Sequence, residues 1–169
     1  VPAGSPNPPA RSGIMDEQET LRQKQPQAQT PFATEQSLYE FRYVGAQQIA
    51  FPLEQVVGEL RVGIVGGRYR INGSRSTIRF AHQHVPPFLV MLRPNQDPSK
   101  VVQFVKMKGD TSSRSSSTPK PGKRSKDELP FVAEVYGKGF RLGVGRLEPG
   151  EYCFSLTVSN EAYCFGMDP

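Results

Sequence analysis

The chain has 169 residues, of which 36% are hydrophobic and none is tryptophan, and its formal net charge is +5. It contains no apolar run near the ~20 residues that a membrane-spanning helix requires, and two cysteines are too few for a disulfide-rich scaffold. Gly and Pro each occur 16 times without the period of collagen, and no coiled-coil heptad is sustained. The composition therefore predicts one soluble domain with flexible parts.

Residues 1–37 are poor in apolar side chains and rich in Pro and Gln, which predicts an extended or disordered arm or linker. A short helix is predicted over Ile14–Gln25, ended by Pro26. Because a helix of this length is marginal alone, we expect the arm to order only on a partner or a neighbouring subunit. The chain begins at Val1, which predicts that a signal peptide, a pro-segment or another upstream segment has been removed. A processed secretory protein is one interpretation, so the expected location is periplasmic, secreted or at the cell surface, with a cytoplasmic location as the alternative.

From residue 38 onward, short alternating apolar stretches are interrupted by Gly or Pro, a pattern typical of antiparallel strands. The spacing predicts an all-β fold, a single antiparallel β-sandwich over residues 38–169 that is immunoglobulin-like or jelly-roll-like. The predicted strands are Tyr39–Val44, Gln48–Phe51, a hairpin over Leu60–Asn72, Thr77–Phe80, Phe88–Leu92, Val101–Met107, Phe131–Tyr136, Phe140–Val144, Glu151–Val158 and Ala162–Met167. Residues 88–92 are apolar on both faces and are predicted to be central, and 131–136 is predicted to pair with 140–144.

The hairpin over residues 60–72 carries the most explicit turn signal. Gly66-Gly67 supplies the positive φ angles of a two-residue type I′ turn. In that register Val62 lies opposite Ile71, and the apolar side chains of both strands share one face. The opposite face is then predicted to carry Arg61, Arg68 and Arg70.

Positive charge is concentrated in two tracts. Residues 61–79 contain five basic residues and no acid, and residues 106–126 contain seven basic residues and one acid, so the rest of the chain has a net charge of −6. The first tract predicts a surface that binds nucleic acid, an anionic glycan or lipid head groups, and its alternative interpretation is the solvated face of a sheet. The candidate anion-binding residues are Arg61, Arg68, Arg70, Arg75 and Arg79.

Residues 109–126 contain almost nothing apolar, which predicts a long, mobile basic loop between two strands. A mobile loop loses conformational entropy when it binds a ligand. We therefore expect its charges to contribute less to anion binding than the arginine face of the hairpin.

No motif in the sequence marks a catalytic centre. There is no nucleophile elbow, no phosphate-binding loop and no distinguished pair of carboxylates, so the sequence predicts neither an enzyme nor a cofactor. His82 and His84 would point the same way on a strand, as metal ligands do. However, Val85-Pro86-Pro87 suggests a loop and no spacing specifies a third ligand, so solvated histidines are the simpler interpretation.

Cys153 and Cys164 lie on successive strands of the last predicted hairpin. Directly opposed positions require a loop centred between Val158 and Ser159, whereas the best turn formers lie at 159–161. A disulfide is one interpretation, and two buried thiols are the simpler one that we expect.

The C-terminal part of the chain resembles a family of bacterial β-rich domains of unknown function, which are generally secreted or periplasmic. The resemblance rests on the last hairpin, Leu147-Glu-Pro-Gly-Glu-Tyr152 followed by Ala162-Tyr-Cys-Phe-Gly-Met-Asp168, and on Gly73-Ser-Arg-Ser76, Pro87-Phe88 and Asp97-Pro98. It spans about residues 45–168. The resemblance implies a non-catalytic extracytoplasmic module and provides no active-site residues to carry over.

Two hypotheses of function follow. The first is a structural or assembly module, in which the arm of residues 1–37 docks on a partner or a neighbouring subunit of an oligomer or filament. The alternative is an anion-binding module that uses the face formed by Arg61, Arg68 and Arg70.

Overall fold

The computed structural model describes residues 37–64, 66–120, 123–157 and 159–169, so the predicted arm over residues 1–36 lies outside the described residues. Within these ranges the chain is almost entirely β-structure, which confirms the predicted all-β class. The strands are β1 Phe41–Val44, β2 Ala50–Pro52, β3 Glu54–Val57, β4 Glu59–Gly63, β5 Gly66–Asn72, β6 Arg79–Ala81, β7 Phe88–Val90, β8 Val102–Gly109, β9 Ser113–Ser117, β10 Val132–Tyr136, β11 Gly139–Gly143, β12 Gly150–Leu156 and β13 Glu161–Asp168. The described helices are a 3-10 turn over Ala46–Gln48 and the helix α1 over Pro98–Val101.

The strands form two sheets in a curled, sandwich-like arrangement. The first sheet has five strands in the order β10-β11-β7-β1-β2. The second has eight strands, seven of them in the order β3-β13-β12-β8-β9-β5-β4, while β6 pairs in parallel with β13. The position of β7 between β11 and β1 confirms the prediction of a central strand, and the antiparallel β10–β11 pair confirms the predicted neighbours.

Aromatic rings from both sheets form the main core between them. Phe88 of β7 stacks on Phe165 of β13, with ring centroids 4.7 Å apart, and Phe41 of β1 stacks on Phe154 of β12 at 5.2 Å. Phe104 of β8 completes the stack, 4.6 Å from Phe154. All five rings are fully buried, so alternate residues of each strand supply the apolar area that holds the sheets together.

The second sheet curls because the strands at its two ends, β3 and β4, follow each other directly in the chain. Strand β3 pairs with β13 at one end of the seven-strand order and β4 pairs with β5 at the other, yet one residue, Gly58, connects β3 to β4. A Cβ atom at position 58 would lie 2.1 Å from the ring of Tyr69, so only glycine fits there without a shift of that ring. The Gly58 amide and the Tyr69 hydroxyl both donate to the carbonyl of Asn160, which holds the curl closed.

A second buried cluster lies inside the curl, on the face of the sheet that points away from the main core. We call it the disulfide cluster, because Cys153 and Cys164 are bonded at its centre, with an S–S distance of 2.04 Å. The expectation of two free thiols is therefore wrong. Ser155 pairs with Ala162, and the same register places the two cysteines directly opposite each other. The other buried members are Ile71, Val105, Met107 and Ala162.

The hairpin of β4 and β5 forms with a different register from the predicted one. Gly63 pairs with Gly66, and Val62 lies opposite Gly67 rather than Ile71. A tertiary contact keeps Gly67 in β5 rather than in the turn: Thr118 donates its backbone N–H to the carbonyl of Gly67, and a Cβ atom on that glycine would lie 2.3 Å from the Thr118 hydroxyl. The glycine therefore serves close strand packing rather than the turn. The shift is four residues, an even number, so the predicted division into an apolar and an arginine face persists.

The prediction of a loop over residues 109–126 is wrong for residues 113–117, which form β9 between β8 and β5. Strand pairing is made by the backbone and needs no apolar side chain. The strand is anchored instead by Arg114, which is 1% exposed, donates to the carbonyl of Gly73 at 3.1 Å and lies 3.6 Å from the carboxylate of Glu54.

Candidate anion-binding surface and adjoining cleft

Three of the five candidate arginines share one outer face of the curled sheet. Arg61 lies directly opposite Arg68 in the β4–β5 pair, and Arg70 lies opposite Glu59. A groove of about 390 Å³, which we call the arginine groove, is lined by Arg61, Arg68 and Arg70 together with Asp110. The like charges at 61 and 68 are only partly offset, by an ion pair of 3.3 Å between Arg61 and Glu59.

Strand β9 brings the second basic tract beside the first. Its pairing with β5 places Ser117 opposite Arg68 and Ser115 opposite Arg70, and its pairing with β8 places Ser115 opposite Lys108. A second groove of about 400 Å³, the lysine groove, therefore adjoins the arginine groove and shares Arg68 with it. The basic residues that line the lysine groove are Arg68, Lys108, Lys120, Lys123, Arg124 and Lys126.

Most of the positive charge in the lysine groove is not neutralised by the described part of the chain. Lys108 lies 3.9 Å from Asp127, and Arg124 lies 3.7 Å from Glu128. No described carboxylate lies within 4.0 Å of the remaining four basic side chains. Those four are Arg68, Lys120, Lys123 and Lys126.

The acidic residues at the two grooves are engaged by the protein itself. Burial opposes ionisation of Asp127, but the backbone N–H and the hydroxyl of Ser117, together with the charges of Lys108 and Lys126, outweigh it and lower the pKa of that carboxyl. Asp110 accepts hydrogen bonds from the amide of Ser112 and from the amide and hydroxyl of Ser113, which lower its pKa to about 2. Both side chains are therefore ionised near pH 7 and hold β9 and its flanks in place.

Arg75 and Arg79, the other two anion-binding candidates, lie apart from this surface and are engaged by carboxylates. Arg79 is bonded to Glu151 through Nη1 and to Asp168 through Nε at 2.7 Å, and Arg75 donates to the same aspartate at 3.2 Å. Neither arginine lines either groove. Both serve to hold the parallel β6–β13 edge of the second sheet.

In the described residues, His82 and His84 do not lie near further side chains that could bind a metal ion with them. His82 follows β6 and donates its backbone N–H to the carbonyl of Asp168, while His84 forms a turn with Ala81. Among residues 37–64, 66–120, 123–157 and 159–169, no group of three His, Cys, Asp or Glu side chains comes together. The structure thus places both histidines in a surface loop, away from the two grooves.

An apolar cleft of about 670 Å³ opens into the inside of the curl, next to the lysine groove. Its floor is the disulfide cluster, represented by Val105, Cys153 and Ala162. One wall is formed by Leu60 and Val62 of β4, which are 61% and 83% exposed. The hydroxyl of Tyr69, also on the wall, has a pKa raised by burial and is bonded to the carbonyl of Asn160.

The cleft and the lysine groove meet at a boundary with little side-chain bulk. Gly66, Gly67, Thr118 and Lys120 line both spaces, and Gly66 also lines the arginine groove. Among the described residues, a Cβ atom at position 66 would approach only the Lys120 side chain, at 3.8 Å. A ligand in the groove could thus extend into the cleft.

Sequence reasoning identified the arginine face but missed the lysine groove and the cleft. The charge of residues 106–126 was visible, but nothing in that segment indicated that it would pair with β5. The cleft depends on the one-residue connection at Gly58, which brings the two ends of the second sheet together. The sequence does not show this, because it does not show that β3 pairs with β13 and β4 with β5.

Comparison of the chain with known protein families, with curated proteins and with solved structures finds no match. The resemblance to bacterial β-rich domains and the extracytoplasmic location that it implies therefore stay predictions. Among the described residues, no helix combines the length and apolar composition needed to cross a membrane.

Proposed function

We propose that the protein is a non-catalytic anion-binding module, and that the lysine groove together with the arginine groove forms its binding surface. The observation that carries the proposal is the β5–β9 pairing, which joins two basic tracts about 40 residues apart in the chain into one surface. Clustered cations attract an anion and release its counterions when it binds.

The chemistry of the lysine groove suits phosphate or sulfate groups. Lysine and arginine side chains are charged at neutral pH and donate to oxyanions. Hydroxyl groups of Ser115 and Thr118 lie among them and supply further donors of the kind that contact phosphate oxygens. Strand β9 holds Ser115 at a fixed position beside Arg70 and Lys108, which reduces the entropy lost there on binding, relative to the mobile loop expected from the sequence.

The test is binding to heparin, a sulfated polyanion, measured by calorimetry at several salt concentrations. We expect the wild-type protein to bind at about 0.15 M salt, with an affinity that falls steeply as salt rises. The triple variant K120Q/K123Q/K126Q should lower the slope of log affinity against log salt by roughly one unit per lysine.

The matched control is R93Q/K100Q/K138Q, which removes the same charge from exposed positions outside both grooves. We expect it to bind heparin like the wild type. The proposal fails if the wild type does not bind heparin near physiological salt. It also fails if the two triple variants lose affinity equally, because binding would then follow net charge alone.

A further inference from the structure

The junction of the lysine groove with the apolar cleft restricts the chemistry of the ligand further. Four of the six cations that line the groove have no described carboxylate within 4.0 Å, and the adjoining cleft presents apolar side chains that no described residue covers. A purely polar anion would leave the cleft unused, and a neutral apolar molecule would leave the groove unused. One molecule with both characters would satisfy both spaces.

We propose that the natural ligand is a single-chain amphipathic anion, whose acyl chain occupies the apolar cleft while its phosphate or carboxylate head group lies in the lysine groove. The head-group part rests on the proposed function, and the chain part rests on the cleft alone. The cleft, at about 670 Å³, lies within the range of about 300–1,000 Å³ that is typical of small-molecule sites.

The walls of the cleft fit an alkyl chain. Leu60 and Val62 project from β4 over a floor formed by the disulfide cluster, so a chain between them would contact apolar atoms on two sides. Burial of this exposed apolar area supplies the driving force for such a ligand. Lys120 lines both spaces and is thus placed where a head group would leave the cleft.

Charge argues for this occupant over a second copy of the chain. In a symmetric dimer joined through the edge of β4, the partner strand is the β4 of the second molecule, which carries the same arginine face. Pairing two such edges would bring Arg61 of one copy close to Arg61 of the other, and like charges at short range are unfavourable. A small anion is instead attracted by the same charges.

Three probes separate the contributions of chain and head group, each measured by isothermal titration calorimetry below the critical micelle concentration. Calorimetry is preferred to intrinsic fluorescence because the protein contains no tryptophan. The probes are 1-palmitoyl lysophosphatidic acid, glycerol 3-phosphate, which has the head group without the chain, and monopalmitoylglycerol, which has the chain without the charge. We expect the lysophosphatidic acid to bind at least tenfold more tightly than either of the others.

Two matched double variants test the location. L60Q/V62Q removes the apolar wall at exposed positions and should weaken binding of lysophosphatidic acid at least tenfold without affecting heparin. V132Q/V135Q replaces two exposed valines by glutamine on the edge strand β10 of the other sheet, and should leave the binding of both ligands unchanged. K120Q/K123Q/K126Q should weaken the binding of both lysophosphatidic acid and heparin.

The outcomes distinguish this inference from the proposed function. If heparin binds but glycerol 3-phosphate binds as well as lysophosphatidic acid, the acyl-chain inference is overturned and the anion-binding function stands. If lysophosphatidic acid binds through the cleft but heparin does not, the chain assignment stands and the broader polyanion function fails. A wild-type dimer that L60Q/V62Q dissociates, with no lipid binding by either protein, would show that a second copy covers the cleft and would overturn the inference.

Discussion

Individual charged residues in this protein divide into those that stabilise the fold and those that leave their charge available. Arg79 and Arg114 belong to the first group, because each faces buried or half-buried carboxylates. Lys120, Lys123 and Lys126 belong to the second, because no described carboxylate pairs with them. The two groups contribute equally to the net charge read from the sequence, and only the carboxylates that surround each side chain in the structure distinguish them.

The two arginines of the β6–β13 edge are expected to differ in their effect on stability. Glu151, the main partner of Arg79, is 8% exposed, and removal of the guanidinium leaves a nearly buried carboxylate with the Ser76 amide as its remaining hydrogen-bond donor. R79Q should therefore lower the free energy of unfolding by about 2 kcal/mol or more. R75Q removes an exposed ion pair with Asp168 and should cost about 0.5 kcal/mol or less.

Urea denaturation of R79Q and R75Q measures this difference. Heparin binding should be unchanged in both variants, since neither arginine lines a groove. Equal stabilities of the two variants, or a loss of heparin affinity in R79Q at unchanged stability, would contradict the structural role assigned to Arg79.

The disulfide is expected to contribute measurably to stability. It closes a loop between residues 11 positions apart, and a cross-link of about this size stabilises a protein by about 2–3 kcal/mol in the chain-entropy account. The variant C153A/C164A should lower the free energy of unfolding by that amount. Denatured, unreduced wild-type protein should have no thiol that reacts with iodoacetamide, and two alkylated cysteines would disprove the bond.

At the scale of elements, the alternation of apolar and polar residues predicts the sheet face on which each side chain lies. It does not predict which residue of the next strand pairs with it. In the β4–β5 hairpin the observed register is displaced by four residues, and both registers place Leu60 and Val62 on the face opposite the arginines. In the β12–β13 hairpin, a displacement by two would likewise keep the faces. The observed register opposes Cys153 to Cys164, which the turn residues alone did not indicate.

The connection between β3 and β4 provides a direct test of the curl. G58A would place a methyl group 2.1 Å from the ring of Tyr69. We therefore expect it to lower the free energy of unfolding by about 1–3 kcal/mol and to weaken the binding of any ligand in the apolar cleft. G143A in β11 is the matched control, because a Cβ atom there has no atom of a described residue beyond its chain neighbours within 4 Å. Thermal unfolding of both variants is the measurement, and equal melting temperatures would show that the ring of Tyr69 moves aside freely.

At the scale of the whole molecule, the assembly hypothesis concerns a segment outside the described residues. The two buried clusters are formed by residues between 41 and 167. Deletion of residues 1–36 should therefore change the melting temperature by less than about 4 °C, the shift that roughly 1 kcal/mol produces in a chain of this size.

Sedimentation of the full-length and truncated proteins tests the assembly role itself. If the arm docks on a neighbouring subunit, truncation reduces self-association while the circular dichroism spectrum of the fold persists. Identical sedimentation of the two proteins would contradict an assembly role, and loss of folding would contradict the prediction that residues 1–36 lie outside the core.

The sequence by itself determined the all-β class, most of the strands and the side of the sheet on which each residue lies. These properties are local, because side-chain alternation and turn formers act within a few residues. Thus Tyr152 and Phe154 enter the main core, and Cys153 between them faces away, as the alternation predicts.

The tertiary structure decided the registers, the disulfide, the strand β9 and the merging of two basic tracts into one surface. Each depends on contacts between residues distant in sequence, such as Thr118 against Gly67 or Tyr69 against Gly58. A register shift by an even number of residues leaves the burial pattern unchanged, so composition and periodicity cannot choose among such alternatives. The choice is made by packing, and with it the position of every charge that defines the candidate binding surface.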